Sequence, residues 1–189
     1  YAAVDKRIRV ISQKNSGPPS ARNNGIRQAR GSLVFFLDAD DFIDKKTLEI
    51  LVSAYNHYQP DLVMGNFCKL ENNSKIIKQN VTFVPGQKPF KFNKKVLLRP
   101  DIVNYVRHFL NHPSNHLASY CWGRLYKLSI IKKNNIFANE KMTRFEDFVF
   151  NLEYLKHTQK AIFINQPFYT YVLHNQSASM RIIDGKSLC

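Results

Sequence analysis

The sequence predicts an α/β protein with a mixed, mostly parallel sheet flanked by helices. Three observations predict it. Strand-type and helix-type segments alternate from Arg7 to Phe67, an order that implies crossover connections within one sheet. The continuous apolar run LVFFL, residues 33–37, suits a strand covered on both faces. Residues 144–157 carry apolar side chains at helical spacing.

Taken in order, the β-branched run RIRVI (7–11) reads as a strand, followed by the turn-rich loop SQKNSGPPS. Pro18 and Pro19 suit the first turn of a helix and Gly31 the position beyond its end, with Ala21, Gly25, Ile26 and Ala29 as its apolar stripe. A second helix is expected from Asp44 to His57, with Asp44 as N-cap and Leu48, Leu51, Val52 and Tyr55 buried. Asp61–Phe67 is a further strand. Residues 69–97 are polar and basic and read as a hairpin or excursion at the sheet's edge. Pro100 opens a helix with Ile102, Val103, Val106, Phe109 and Leu110 on one face. The run SYCWGRLYKLSII is expected to pass from strand to helix. The helix at 144–157 should bury Phe145, Phe148, Val149, Leu152 and Leu155. Strands at 161–164 and 168–172 close the fold. Neither a repeat nor a linker interrupts the chain, so residues 1–189 read as one domain.

The chain's 189 residues can bury about 70% of the unfolded surface, enough for a core without disulfides or metal. Apolar residues at 44% exclude a disordered chain, and no apolar run is long enough to span a membrane as a helix. Cys68, Cys121 and Cys189 are odd in number and far apart, which suits a reducing compartment. Residue 1 is Tyr, with no targeting pattern after it, so the chain is read as a piece of a longer protein.

The net charge is +14, from 28 basic and 14 acidic residues. Such a balance favours polyanions or phosphorylated ligands. Yet Asp38, Asp40, Asp41 and Asp44 gather four of the acids within seven residues, directly after the LVFFL run. In an open sheet, ligands sit outside the carboxyl ends of strands. In an extended chain, Asp38 and Asp40 would project to the same side. Two carboxylates 4 Å apart repel by roughly 4 kcal/mol at an effective dielectric of 20. A divalent cation removes that cost, and an all-oxygen ligand set selects Mg²⁺ or Mn²⁺. A helix cap would explain one acid, not four. The stretch NSGPPSARNNGIRQARG (15–31) places backbone amides, a helix start and Arg22 together, a site suited to phosphates, although an ordinary strand-to-helix turn has the same composition.

The order ARN-x-G (21–25), then an apolar strand ending in Asp-Ala-Asp-Asp (38–41), resembles family 2 glycosyltransferases of the GT-A fold. The likeness is to bacterial enzymes that build capsule, exopolysaccharide or lipopolysaccharide glycans. CWGRLYK (121–127) and RFEDFVFN (144–151) are similar to two further stretches of that family, and residues 69–97 match least. The resemblance implies a Rossmann-like sheet whose first strands precede Tyr1. It implies inverting transfer of a sugar from a nucleotide-sugar donor, UDP-linked, to a glycan or lipid-linked acceptor. By that resemblance Asp40 is the principal metal ligand, joined by Asp38, with His174 as a further one. Asn15, Gly17, Arg22, Asp38, Ala39 and Asp41 line the nucleotide sugar. Asp147 is the general base, and Trp122 and Glu146 meet the acceptor. The Glu146–Asp147 pair also suits a helix N-terminus on charge alone, Trp122 also suits a core, and His174 also suits a surface.

Lys75, Lys78, Lys88, Lys91, Lys94, Lys95 and Arg99 would give the 69–97 excursion a peripheral contact with anionic headgroups at the cytoplasmic face of a membrane, or simply a solvated face. Three rivals stand beside this reading. A phosphatase of the haloacid dehalogenase type shares the strand-then-Asp-x-Asp pattern. A basic nucleic-acid-binding module fits the charge but not the acidic cluster, so no nucleic acid partner is expected. An inert remnant would keep the fold without catalysis. The oligomeric state is left open.

Overall fold

The structure, a computed structural model, describes residues 1–71, 75–78, 94–111 and 119–173. Five helices and seven strands appear among them, in the order α1 (Gly17–Gln28), β1 (Leu33–Phe35), β2 (Phe42–Ile43), α2 (Thr47–Tyr58), β3 (Leu62–Glu71), β4 (Lys75–Lys78), β5 (Lys94–Leu98), α3 (Arg99–Asn111), β6 (Arg124–Lys127), α4 (Leu128–Lys133), α5 (Glu146–Lys156) and β7 (Lys160–Leu173).

The strands form one sheet in the order β1-β6-β3-β7-β2, with β4 joined to β3 and β5 to β7. Its spine is the parallel pair β3–β7, running from Leu62↔Ala161 to Glu71↔Leu173. The other pairings are antiparallel. The sheet is therefore mixed, as expected, but not mostly parallel. The alternation of side chains along each strand divides the core in two. Val63, Leu125, Ile162 and Ile164 face Leu51 and Ala54 of α2. Leu62, Met64, Tyr126, Ala161 and Phe163 face the other way, onto Ile26, Ile102, Ile131, Phe150 and Tyr154 from the remaining helices.

Several sequence expectations are corrected. Residues 7–11 form no strand, because no described strand lies beside them to complete a ladder, and Val10 is exposed. The LVFFL strand ends at Phe35, is only half-buried, and runs antiparallel to β6 at one edge of the path. Asp44 does not cap α2. Its carboxylate accepts the Lys46 N–H at 2.8 Å in a turn ahead of the helix. The buried face of α2 is Thr47, Leu51 and Ala54, while Leu48 and Val52 are exposed. Thr47 is drawn inward because its hydroxyl donates to the Phe168 carbonyl at 3.0 Å. The two closing strands are one, β7, with the irregularity taken up opposite Gly65–Phe67 of β3. Arg99 turns inward and donates to the Leu155 and Thr158 carbonyls at the end of α5. The 69–97 excursion does begin as a hairpin, β4 folding back on β3, and β5 returns along β7.

Candidate functional site

The site lies where the chain leaves β1, beside the start of α5. Past Phe35 the backbone does not stay extended. Residues 38–41 form a turn closed by the Asp41 N–H to the Asp38 carbonyl at 3.2 Å. The same-side projection of Asp38 and Asp40 from an extended chain is thereby corrected. The turn exposes Ala39 and Asp40, leaves Asp38 half-buried and buries Asp41.

Arg22 on α1 joins this turn to α5. Its Nη2 donates to Asp38 Oδ1 at 2.9 Å and its Nη1 to Asp147 Oδ1 at 2.6 Å, with Glu146 Oε1 at 3.9 Å. Burial of the guanidinium would lower its pKa, but the attraction of Asp147 and Asp38 outweighs this and raises it, so Arg22 stays charged. Asp147 is buried, and its second oxygen accepts the Cys121 N–H at 3.2 Å. A carboxylate has about four acceptor positions, so Asp147 keeps capacity beyond these two bonds. Four of the expected residues, Arg22, Asp38, Glu146 and Asp147, are thus gathered by one guanidinium.

The next residue, Asn23, is fully buried and meets a different segment. It donates to the Ala138 carbonyl at 2.8 Å and Glu140 at 2.9 Å, and accepts the Ala138 N–H at 2.9 Å. The ARN run therefore points one residue into the site and clamps the segment leading to α5 with the next.

Asp41, expected at the donor, is an anchor instead. Its carboxylate accepts the Tyr169 hydroxyl at 2.5 Å and the Val172 N–H at 2.9 Å. Burial raises its pKa, these two hydrogen bonds oppose the rise, and the nearby Asp40 and Asp38 charges add to it. The remaining acids of the turn thus add to a local excess of negative charge. Hard oxygen donors with that excess fit a Mg²⁺ or Mn²⁺ ion held by one or two carboxylates and completed by substrate phosphates. Among the described residues no group of three or more His, Cys, Asp or Glu side chains could hold a metal ion. His174 lies outside the described residues.

Trp122 is corrected as an acceptor platform. It is buried, stacked on Tyr169 at 4.3 Å and on Tyr120 at 4.4 Å, in a cluster with Phe67 beneath the turn. Asn15 and Gly17 sit at the amino end of α1, where Asn15 Oδ1 accepts the Gly17 N–H at 3.1 Å and Gly17 takes φ +81°. Phe145, expected to be buried beside Asp147, is 72% exposed. Sequence reasoning passed over Tyr169, Asn23 and the Cys121 amide. Only Asn23 had a signal, its place in the ARN run.

Comparison with known proteins follows the same lines. The family model described as Glycosyl transferase family 2 matches residues 1–112. The uncharacterized glycosyltransferase EpsJ of Bacillus subtilis is 31% identical over 171 residues, covering 90% of this chain and 46% of EpsJ. The cholesterol galactosyltransferase of Borreliella burgdorferi is 27% identical over 195 residues, covering 100% of this chain and 51% of that protein. The chain thus spans about half the length of these curated relatives. The crystal structure of S. aureus TarS 1-349 in complex with UDP-GlcNAc shares the fold, with a TM-score of 0.66 at 18% identity over 91% of this chain and 43% of that one.

Proposed function

The chain belongs to glycosyl transferase family 2, and from that premise we propose that it carries the donor and base machinery for sugar transfer from a UDP-linked sugar to a glycan or lipid-linked acceptor, with inversion. The family match takes the place of the phosphatase reading. The observation that carries the proposal is the Arg22 fork, which joins the Asp38–Asp41 turn to Asp147, a residue 125 positions beyond Arg22 in the sequence. A UDP-linked donor is supported by the TarS complex with UDP-GlcNAc. A role in cell-surface polysaccharide synthesis rests on the resemblance to enzymes of that kind.

In this reading Asp40 and Asp38 face the donor diphosphate and would hold the Mn²⁺ or Mg²⁺. That ion, when bound, stabilises the departing nucleoside diphosphate as a Lewis acid. The acceptor oxygen attacks the anomeric carbon from the face opposite the diphosphate. The new carbon–oxygen bond forms as the bond to the phosphate oxygen breaks, and configuration inverts. Asp147 takes the hydroxyl proton, and Arg22 and the Cys121 N–H hold its carboxylate in one orientation. Glu146, beside it and partly exposed, faces the acceptor. Peripheral contact with anionic lipid at a membrane's cytoplasmic face is part of the proposal. Lys94, exposed on β5, supports it, while Arg99 does not because its guanidinium is engaged. Among the described residues no helix is long and apolar enough to cross a membrane.

The test is Asp147→Asn in the full chain. Asn keeps an acceptor oxygen for Arg22 but cannot take a proton. UDP binding should stay within a few-fold of wild type while transfer falls by at least about 100-fold, the low end for a positioned base. Transfer within a few-fold of wild type would remove Asp147 from the mechanism and make Glu146 the acid to test.

A further inference from the structure

We propose that Tyr169, braced by Trp122, is the positioning residue that fixes the Asp38–Asp41 turn and thereby sets donor affinity. The inference rests on the reading of that turn as the donor-facing element. A turn that crowds acidic residues tends to open, since its charges repel. Its own closing bond, Asp41 N–H to the Asp38 carbonyl, is long at 3.2 Å. One phenol grips both of its ends. The Tyr169 hydroxyl accepts the Asp38 N–H at 3.1 Å and donates to Asp41 Oδ2 at 2.5 Å, while Val172, three residues further along β7, donates its N–H to Asp41 Oδ1 at 2.9 Å. The turn is pinned to the sheet's spine at three points, with Ala39 and Asp40 left outward.

The ring itself is held. Tyr169 is fully buried and lies 4.3 Å from the Trp122 ring at an interplanar angle of 10°. Gly123 packs against it at φ +69°, and a side chain there would stand 3.5 Å from Tyr169 Cβ while adopting a conformation disfavoured for any residue but glycine. Cys121, just before this pair, donates its N–H to Asp147. The three residues Cys121–Gly123 therefore steady both halves of the site, the base through a backbone amide and the turn through the stacked phenol. This gives the CWG stretch a function other than sugar stacking.

Tyr169→Phe keeps the ring and its stack and removes only the hydroxyl. In the full chain it should weaken Mn²⁺-dependent UDP binding about tenfold by calorimetry, the scale of one hydrogen bond to a charged group. The Asp38 amide should lose protection from hydrogen exchange. In turnover the donor KM should rise with kcat at saturating donor little changed, a split that general loss of folded protein would not produce. Asp41→Asn reaches the same clamp from its other side, and the double variant should bind UDP no more weakly than the weaker single one. Losses that add would show two independent roles and overturn the clamp. Binding lost in Asp40→Ala but kept within twofold in Tyr169→Phe would overturn the clamp and leave the donor reading standing. Binding unaffected by both, or absent from the wild type, would overturn the donor reading and the clamp with it.

Discussion

Replacing Arg22 with Ala should cost the protein about 3 kcal/mol of stability, and the figure can be worked contact by contact. Arg22 and Asp147 are both largely buried, with side-chain exposures of 16% and 12%. Removing one partner of a buried pair costs roughly 3–5 kcal/mol, because the other charge stays uncompensated. The low end applies, since Asp147 keeps the Cys121 N–H as a donor. Asp38 is 32% exposed, so its share is closer to that of a surface pair, about 0.2–1 kcal/mol. Glu146, at 3.9 Å, adds less again. For a chain of this size about 3 kcal/mol corresponds to a fall of roughly 6–12 °C in Tm, measured by calorimetry at pH 7. Arg22→Lys should recover only part of this, since one ammonium cannot fork to two carboxylates in the way a guanidinium does. In 1 M salt, where exposed charges are screened beyond about 3 Å, most of the Ala deficit should persist because Asp147 is shielded by burial. An Arg22→Ala protein melting within about 2 °C of wild type would refute the argument, since the fork would then hold neither half of the site in place.

Two further outcomes test the core. A side chain at Gly65 would overlap the ring of Phe168, which is buried where β3 shifts register against β7. Gly65→Ala should therefore cost about 1–3 kcal/mol by overpacking, and an unchanged denaturation midpoint would contradict the packing described. Cys121 and Tyr126 are deeply buried, and burial is the main cause holding their pKa values well above the ordinary 9.0 and 10.0. The folded state keeps protons that the unfolded chain releases, so the stability these groups contribute is whole below pH 9. It falls as pH rises past 9 and then past 10, by up to about 1.4 kcal/mol per pH unit for each group. Denaturant titrations at pH 8, 9.5 and 10.5 measure this, and a flat unfolding free energy across them would mean neither group is as enclosed as described.

What could be read from the chain beforehand divides along the range of the interactions involved. Helices α1, α2, α4 and α5 fall within a few residues of their expected places, because prolines, charge and apolar spacing act locally. The acidic cluster after β1 and the pair opening α5 were also visible, because like charges crowded together need a reason. Strand direction was not visible. The run LVFFL looks like a parallel strand, but its partner is β6, some ninety residues on, and nothing within five residues encodes the direction of a neighbour. The buried face of α5 was misjudged for a more instructive reason. Apolar spacing selects Phe145, Phe148, Val149, Leu152 and Leu155, whereas the helix buries Asp147, Phe150, Asn151, Tyr154 and Leu155. Two polar residues face inward because partners wait for them. Arg22 and the Cys121 amide meet Asp147, while the Tyr126 hydroxyl donates to Asn151 at 2.7 Å and Asn151 donates to the Tyr120 carbonyl at 2.9 Å. A hydrophobic pattern counts buried polar groups as errors, yet a buried polar group with its hydrogen bonds satisfied costs little and fixes orientation. The same logic hid Tyr169. As one of nine tyrosines it carries no mark in the sequence, and its part in the site arises only when β7 brings its hydroxyl to the two ends of a turn about 130 residues earlier. The misread face of α5 is therefore itself informative: the helix departs from its apolar pattern at Asp147 and Asn151, where buried polar partners from other elements meet it.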